Sequence, residues 1–223
     1  MKIAVIGTGK TGGKVAELLS DDQISDTFDE NDPPTAPKLK AADAAIIFVP
    51  GAAVDDIFED VLDSGIPAVW GSTGYQWPED LDETLADAGI KWLKASNFSL
   101  GMNIIRRAIN VISEGSEMLK DPKYHIHEVH HIHKKDAPSG TAISWKEWLG
   151  KDAEITSERK GDIKGIHELT VKTAAESIFL KHQAHDRAVF AQGAIWAAEQ
   201  IVKDEIKPGF HDFSTIFDQA IGR

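Results

Sequence analysis

Short apolar runs alternate with helical patterns over the first hundred residues of the chain. Lys2 to Ile6, Asp43 to Val49, Pro67 to Trp70 and Ile90 to Lys94 each read as a strand buried on both faces, as in a parallel sheet. Val15, Ala16, Leu18 and Leu19 fall on one side of a helix after the first strand. Val54, Ile57, Phe58, Val61 and Leu62 recur at i, i+3, i+4, i+7 and i+8 of a second, and a third is expected from about Pro78 to Ala88. Asn31 to Lys40 is too rich in proline for a helix, so the second crossover is expected to be a bare loop.

The later pattern is different. Gly101 to Leu119 has a helical period with Ile104, Ile105, Ala108, Ile109 and Ile112 along one side. Residues 124 to 133 alternate as a strand that sends Tyr124, Ile126, Glu128, His130 and Ile132 one way and His125, His127, Val129, His131 and His133 the other. Pro138 is expected to stop that strand, and Ser139 to cap a helix that ends near Gly150. Ile166 to Ala174 and Ser177 to Ala184 read as two more strands, Glu154 to Lys164 as a solvated loop, and Ala191 to Val202 as a helix. Together they predict a mixed sheet with helices on one face.

The loop after the first strand is Gly7-Thr8-Gly9-Lys10-Thr11-Gly12, a G-x-G-x-x-G between a strand and a helix. Glycines there allow a tight turn and let backbone approach a pyrophosphate at the helix start. The alternative is a glycine-rich turn that binds nothing. A dinucleotide site also needs an acid after the second strand for the ribose hydroxyls, and Asp29 lies about twenty residues on. No arginine follows it to neutralise a 2'-phosphate, which favours NADH over NADPH, while Lys10 leaves room for both. Gly71-Ser72-Thr73-Gly74 and Ser96-Asn97-Phe98-Ser99 follow later strands, where open α/β sheets bind ligands, although either could be a plain turn. The fold class expected is therefore α/β: a Rossmann-type nucleotide-binding domain, 1–99 with 187–223, plus an α+β substrate domain with a mixed sheet, 100–186.

Composition excludes several functions. A formal charge of −12 on 223 residues, with no long basic run, disfavours nucleic acid as a partner. No apolar run is long enough for a membrane span or a secretory signal, which points to the cytoplasm. There is no cysteine for thiol chemistry. An anionic ligand must then be held by a local positive patch, and residues 124 to 142 supply one with five histidines and two lysines before a Pro-Ser-Gly-Thr turn. Imidazoles near their working pKa, an ammonium and a helix start suit a carboxylate-bearing substrate that gains or loses protons. His131 and His133 have a spacing that can ligate zinc, but with no cysteine and with Lys134 beside them no metal is expected. Arg187 could grip a carboxylate or phosphate, though an arginine there more often pairs with a surface acid.

The run from Glu128 to Ala142, EVHHIHKKDAPSGTA, resembles the signature of the dihydrodipicolinate reductases. GSTG, ASNFS, the run from His182 to Ala194 and the terminal PGFHDFSTIF also resemble segments of that family, so the likeness spans nearly the whole chain, with a gap near residues 30 to 42. Two departures stand out: His125 replaces an acid, and Ile47-Phe48-Val49 replaces Asp-Phe-Thr or Ser. The resemblance implies NAD(P)H-dependent reduction of 4-hydroxy-tetrahydrodipicolinate, a cyclic imine with two carboxylates, in lysine and diaminopimelate biosynthesis. It implies His130 as acid/base and Lys134 as second proton donor, with His131, Ser139, Gly140 and Thr141 on the substrate. The cofactor, NADH, NADPH or both, would meet Gly7 to Gly12, Asp29, Gly71, Ser72, Thr73, Ser96, Asn97, Phe98, Ser99 and Arg187. A homotetramer is implied through the second sheet. Alternatives are another short reductase of the aspartate or homoserine dehydrogenase kind, which leaves the histidine run unexplained, and a nucleotide sensor without turnover.

Overall fold

A computed structural model describes residues 1–222. The chain divides into two compact units, one made of Met1–Leu100 with the segment from Arg187 onward, the other of Gly101–Asp186.

The first unit is built on six parallel strands: β1 (Ile3–Ile6), β2 (Ile24–Phe28), β3 (Ala44–Ile47), β4 (Ala68–Trp70), β5 (Lys91–Lys94) and the last strand of the chain, β10 (Gly209–Asp212). Their order across the sheet is β10-β5-β4-β3-β1-β2. Both faces are covered, which is why the strands read as unbroken apolar runs. Ile3 and Val5 enter one core with Val15 of α1 (Gly12–Leu18) and the alanines of α7 (Ala188–Ile201). Ala4 and Ile6 enter the other, with Ile57 and Val61 of α3 (Asp55–Ser64) and Leu85 of α4 (Leu81–Asp87). Burying each such side chain stabilises the unit by about 1.5–3 kcal/mol.

Three features here differ from the sequence pattern. The second crossover is not bare: α2 (Ala36–Leu39) makes one turn, with Pro37 in that first turn where no backbone N–H is needed. Leu18, expected on the apolar side of α1, is 44% exposed. The closing segment forms β10 and α8 (Phe213–Ile221), both unsignalled because β10 is four residues long and carries His211 and Asp212.

The second unit holds a mixed sheet in the order β7-β6-β8-β9, from β6 (Lys123–His130), β7 (Ala153–Arg159), β8 (Ile166–Lys172) and β9 (Ser177–Gln183). β6 and β7 are parallel, joined by α6 (Gly140–Leu149), while β8 and β9 run antiparallel to their neighbours. Helix α5 (Leu100–Gly115) contributes Met102, Ile105 and Ile109 to a core with Ile126, Trp145, Leu149, Leu169 and Val171. Ile104, expected on the apolar side of α5, is 56% exposed.

Two corrections bear on the site. β6 ends at His130, so Ile132, His131 and His133 lie in the turn that follows and are not strand positions, and Pro138 is not what stops the strand. The stretch read as a solvated loop is largely β7. Its inward positions, Ala153, Ile155, Ser157 and Arg159, pair with Tyr124, Ile126, Glu128 and His130. Two of those four are polar because they face polar partners, so the apolar alternation that marks a strand is missing.

Candidate active site

In the first unit all strands run parallel, so the loops after their carboxyl ends share one edge of the sheet. Gly7 has φ +87°, and a Cβ there would lie 2.4 Å from the carbonyl oxygen of Phe48. A Cβ on Gly12 would lie 1.7 Å from the carbonyl oxygen of Gly7, so this turn admits glycine alone at both positions. Gly9 faces open space, and Thr8, Gly9 and Lys10 are exposed, with Thr11 partly buried. That tight backbone with an open middle fits a pyrophosphate.

Asp29 follows β2 directly, and its Oδ1 accepts hydrogen bonds from the backbone N–H of Asn31 at 2.8 Å and of Asp32 at 3.2 Å. The nearest base, Lys38, is held by Asp32 at 2.7 Å, which keeps the strand end acidic. Gly71, Ser72 and Thr73 follow β4 and Ser96 to Ser99 follow β5; Ser72 is buried, and Asn97 accepts from the N–H of Ser99 at 2.9 Å. Phe98 is a core residue that meets Phe48 edge-on at 5.8 Å, so this position offers a ligand its backbone only. Ile47 is also wholly buried, which places that departure in the core. Arg187 stands exposed at the N-cap of α7, and among the described residues no hydrogen bond or ion pair joins its side chain to these loops.

In the second unit the chemistry gathers where β6 and β7 end and α6 begins. Glu128 and His130 lie two apart on the inner face of β6, opposite His167 of β8 and Arg159 of β7. Glu128 is completely buried. Its Oε1 accepts from the backbone N–H of Ser139 at 3.0 Å and from Nη2 of Arg159 at 3.1 Å. Its Oε2 lies 3.2 Å from Nδ1 of His130, close enough for a charge interaction though out of line for a hydrogen bond, and 3.7 Å from Nε2 of His167. Burial works to raise the Glu128 pKa, but hydrogen bonds from Ser139, Ser157 and Arg159 outweigh it and bring it down to about 2. It is therefore an anion at neutral pH.

Burial pushes the His130 pKa down, and Lys134 and Arg159 add to that, against the Glu128 charge that raises it. His167, buried and beside His130, is lowered to about 4. Both rings are neutral at pH 7. They meet edge-on at 5.0 Å, and Nε2 of His167 lies 3.2 Å from the hydroxyl of Ser139. Gly165 completes the pocket: a Cβ there would come within 3.2 Å of Nε2 of His130.

Ser139 caps α6 as expected, accepting from the N–H of Ala142 at 3.2 Å. Since the Ser139 N–H goes to Glu128, the first-turn N–H groups left for an anion are those of Gly140 and Thr141. In the preceding loop, Lys134 pairs with Asp136 at 2.8 Å, and Arg159 donates to the carbonyl of Asp136. His131 is partly buried and His133 exposed, their rings 6.2 Å apart. The second unit thus brings His130, Lys134, Ser139, Gly140 and Thr141 to one end of one βαβ turn. Glu128, Gly165 and His167 were missed by sequence reasoning. Alternation alone puts Glu128 beside His130, whereas nothing in the sequence pairs either with β7 or β8.

Residues 101–217 match the family described as dihydrodipicolinate reductase, C-terminus. The chain is 32% identical to the 4-hydroxy-tetrahydrodipicolinate reductase of Haloarcula marismortui, over 97% of this chain and 99% of that one. It is also 32% identical to the enzyme of that name from Methanosarcina acetivorans, over 93% and 84%. Among solved structures, a dihydrodipicolinate reductase from Paenisporosarcina sp. TG-14 with dipicolinate bound superposes with a TM-score of 0.74, covering 97% of this chain and 99% of that one at 16% identity.

Proposed function

The chain belongs to the dihydrodipicolinate reductase family, and from that premise we propose how its residues divide the work. The reaction is the reduction of 4-hydroxy-tetrahydrodipicolinate to tetrahydrodipicolinate with a nicotinamide cofactor, an oxidoreductase step of lysine and diaminopimelate biosynthesis. The bound nicotinamide supplies a hydride. We assign Gly7 to Gly12, Asp29, Gly71 to Thr73 and Ser96 to Ser99 to holding it, supported by the tight glycine turn with its open middle. The acidic end of β2, with Lys38 already paired, supports NADH as at least the equal of NADPH. We place Arg187 last in this set, since among the described residues no hydrogen bond or ion pair joins its side chain to the loops.

The observation that carries the site assignment is the neutral, buried His130 beside the start of α6, in one turn with the Lys134 ammonium. Loss of the 4-hydroxyl as water leaves a conjugated imine, and hydride adds at the carbon that bore the hydroxyl. His130 and Lys134 then move the protons this requires: the imidazole accepts or returns one at a ring nitrogen, and the ammonium donates one. The N–H groups of Gly140 and Thr141, the Thr141 hydroxyl and His131 are assigned to a substrate carboxylate. Ser139 contributes through the loop, because its own N–H and hydroxyl are engaged within the protein.

No helix among the described residues is long and apolar enough to cross a membrane. We place the enzyme in the cytoplasm as a homotetramer, with the sheet face opposite α5 and α6 as the self-association surface. Phe179, 66% exposed on that face of β9, supports this choice. Oxidation of NADH and NADPH in the presence of the imine substrate, followed at one ionic strength with pyridine-2,6-dicarboxylate as inhibitor, tests the assignment. No turnover with either cofactor would remove it.

A further inference from the structure

Two buried polar atoms in the second unit face one another with no hydrogen-bond partner: Oε2 of Glu128 and Nδ1 of His130, 3.2 Å apart. Left unmade, each such buried group is a cost to the fold. A proton on Nδ1 suits both atoms electrostatically, since it sets a positively polarised hydrogen, in place of a lone pair, beside a carboxylate that stays ionised. A proton on Nε2 instead would set the Nδ1 lone pair against that anion. The carboxylate cannot turn away, because Ser139 N–H and Arg159 Nη2 hold its other oxygen.

We propose that Glu128 is the positioning residue for His130: its carboxylate selects the Nδ1–H tautomer and so makes Nε2 the nitrogen that exchanges a proton with the reactant. This rests on the reading of His130 as the acid/base group. The same carboxylate links that group to the start of α6, through the Ser139 N–H, so the proton-transfer nitrogen and the carboxylate-binding turn are set by one anchor. The groups that face His130 are Glu128 from its own strand, Arg159 from β7, His167 from β8, and Lys134 and Asp136 from the loop; His182 of β9 acts on His167.

A metal is the competing use of these atoms, because Glu128, His130 and His167 place one ligand atom each within 4.8 Å of one another. The guanidinium of Arg159 already occupies the same carboxylate, and the ammonium of Lys134 acts on both imidazoles, so a divalent cation would enter a site that is already cationic.

Imidazole 15N chemical shifts of the full-length protein decide between these uses. In the wild type at neutral pH, His130 is expected to show a protonated Nδ1 and a bare Nε2. Glu128→Gln is expected to mix or invert the tautomers, to move the His130 titration and the matching limb of the kcat pH profile to lower pH, and to reduce kcat about 10- to 100-fold with a smaller change in KM. Should Glu128→Gln fail to fold with Arg159 left unpaired, Glu128→Gln/Arg159→Met removes both charges; since Arg159 itself lowers the His130 pKa, this variant is read by its 15N tautomer and kcat, not by the direction of its titration, and an unchanged Nδ1–H ring in it overturns the proposal. An Nε2–H ring in the wild type overturns the proposal even in an active reductase, and so does a Glu128→Gln enzyme with an unmoved pH profile. Stoichiometric Zn2+ uptake that perturbs the His130 and His167 signals together would overturn it as well. An Nδ1–H ring in a protein without reductase activity would overturn the activity reading alone.

Discussion

The ammonium of Lys134 rests 2.8 Å from the carboxylate of Asp136, two residues further along the same loop. It lowers the Asp136 pKa, so the pair is charged and the donor is held in place before substrate arrives. With Lys134 and His130 on one proton path, Lys134→Ala and His130→Gln should each lower kcat by on the order of 10² or more, with fold and NADH binding intact. The double variant should be only slightly worse than the poorer single one, because residues of one path act as a unit. Near-wild-type kcat in both single variants would return the histidines to a binding or structural role.

Thr141, partly buried in the first turn of α6, has one of the two backbone N–H groups left for an anion there. Thr141→Val should raise the substrate KM and weaken pyridine-2,6-dicarboxylate, by up to about tenfold for one lost hydrogen bond, and leave NADH affinity unchanged. Equal losses for both ligands would show that this turn is not on the substrate side.

Cofactor choice turns on Asp29. One of its oxygens already organises the turn to Asn31 and Asp32, and with Glu30 and Asp32 it keeps the end of β2 negative. NADH should bind at least as well as NADPH, since a 2'-phosphate would meet these acids. Titrating both at one ionic strength checks this, and a clear NADPH preference sinks the assignment.

Buried His167 and Glu128 give the stability of the second unit a two-stage acid profile. The His167 pKa falls from 6.5 unfolded to about 4 folded, so stability is full above pH 6.5 and declines as pH drops toward 4, where only the unfolded chain gains the proton. The Glu128 pKa falls from 4.5 to about 2, so a second decline runs from pH 4.5 to 2. Urea unfolding followed by tryptophan fluorescence across pH 7 to 3 should show the first stage in the wild type and a smaller one in His167→Gln, since His130 and His182, also lowered by burial, act in the same direction.

Gly165→Ala should leave the fold intact and lower kcat about tenfold or more, because a Cβ 3.2 Å from Nε2 of His130 must push the ring off its position. Unchanged kinetics would mean that the ring has slack there.

What could be seen in advance follows from how far apart in sequence the contacting residues lie. The glycine turn between β1 and α1, the buried strands and the Ser139 cap were legible, because each depends on neighbours within a few residues. Strand β7 was not, since Ser157 and Arg159 face inward toward Glu128 and His130 across a partner strand. His167 was invisible for the same reason: its place beside Glu128 comes from antiparallel pairing some forty residues away in sequence. His131 and His133 were placed on a strand that in fact stops at His130, where the chain turns so that the N–H of Lys134 can donate to the carbonyl of His131.

The first unit is interrupted by the second, and this sets an order for its assembly on the ribosome. One of its two cores is lined by Ala191, Ala194, Ala197, Ala198, Ile201, Phe213 and Ile216, all made after residue 186. Strand β10, which completes the sheet beside β5, comes later still. Residues 1 to 100 therefore emerge with one face of their sheet covered only by Val15 and Leu19 around α1, while residues 101 to 186 form a continuous segment with a core of its own. The second-made unit can close first, and the first-made one must wait for the end of the chain. A truncation near residue 186 would then release a nascent nucleotide sheet that exposes Val5, Ile46, Val69 and Leu93, a substrate for chaperones or aggregation in place of half an enzyme.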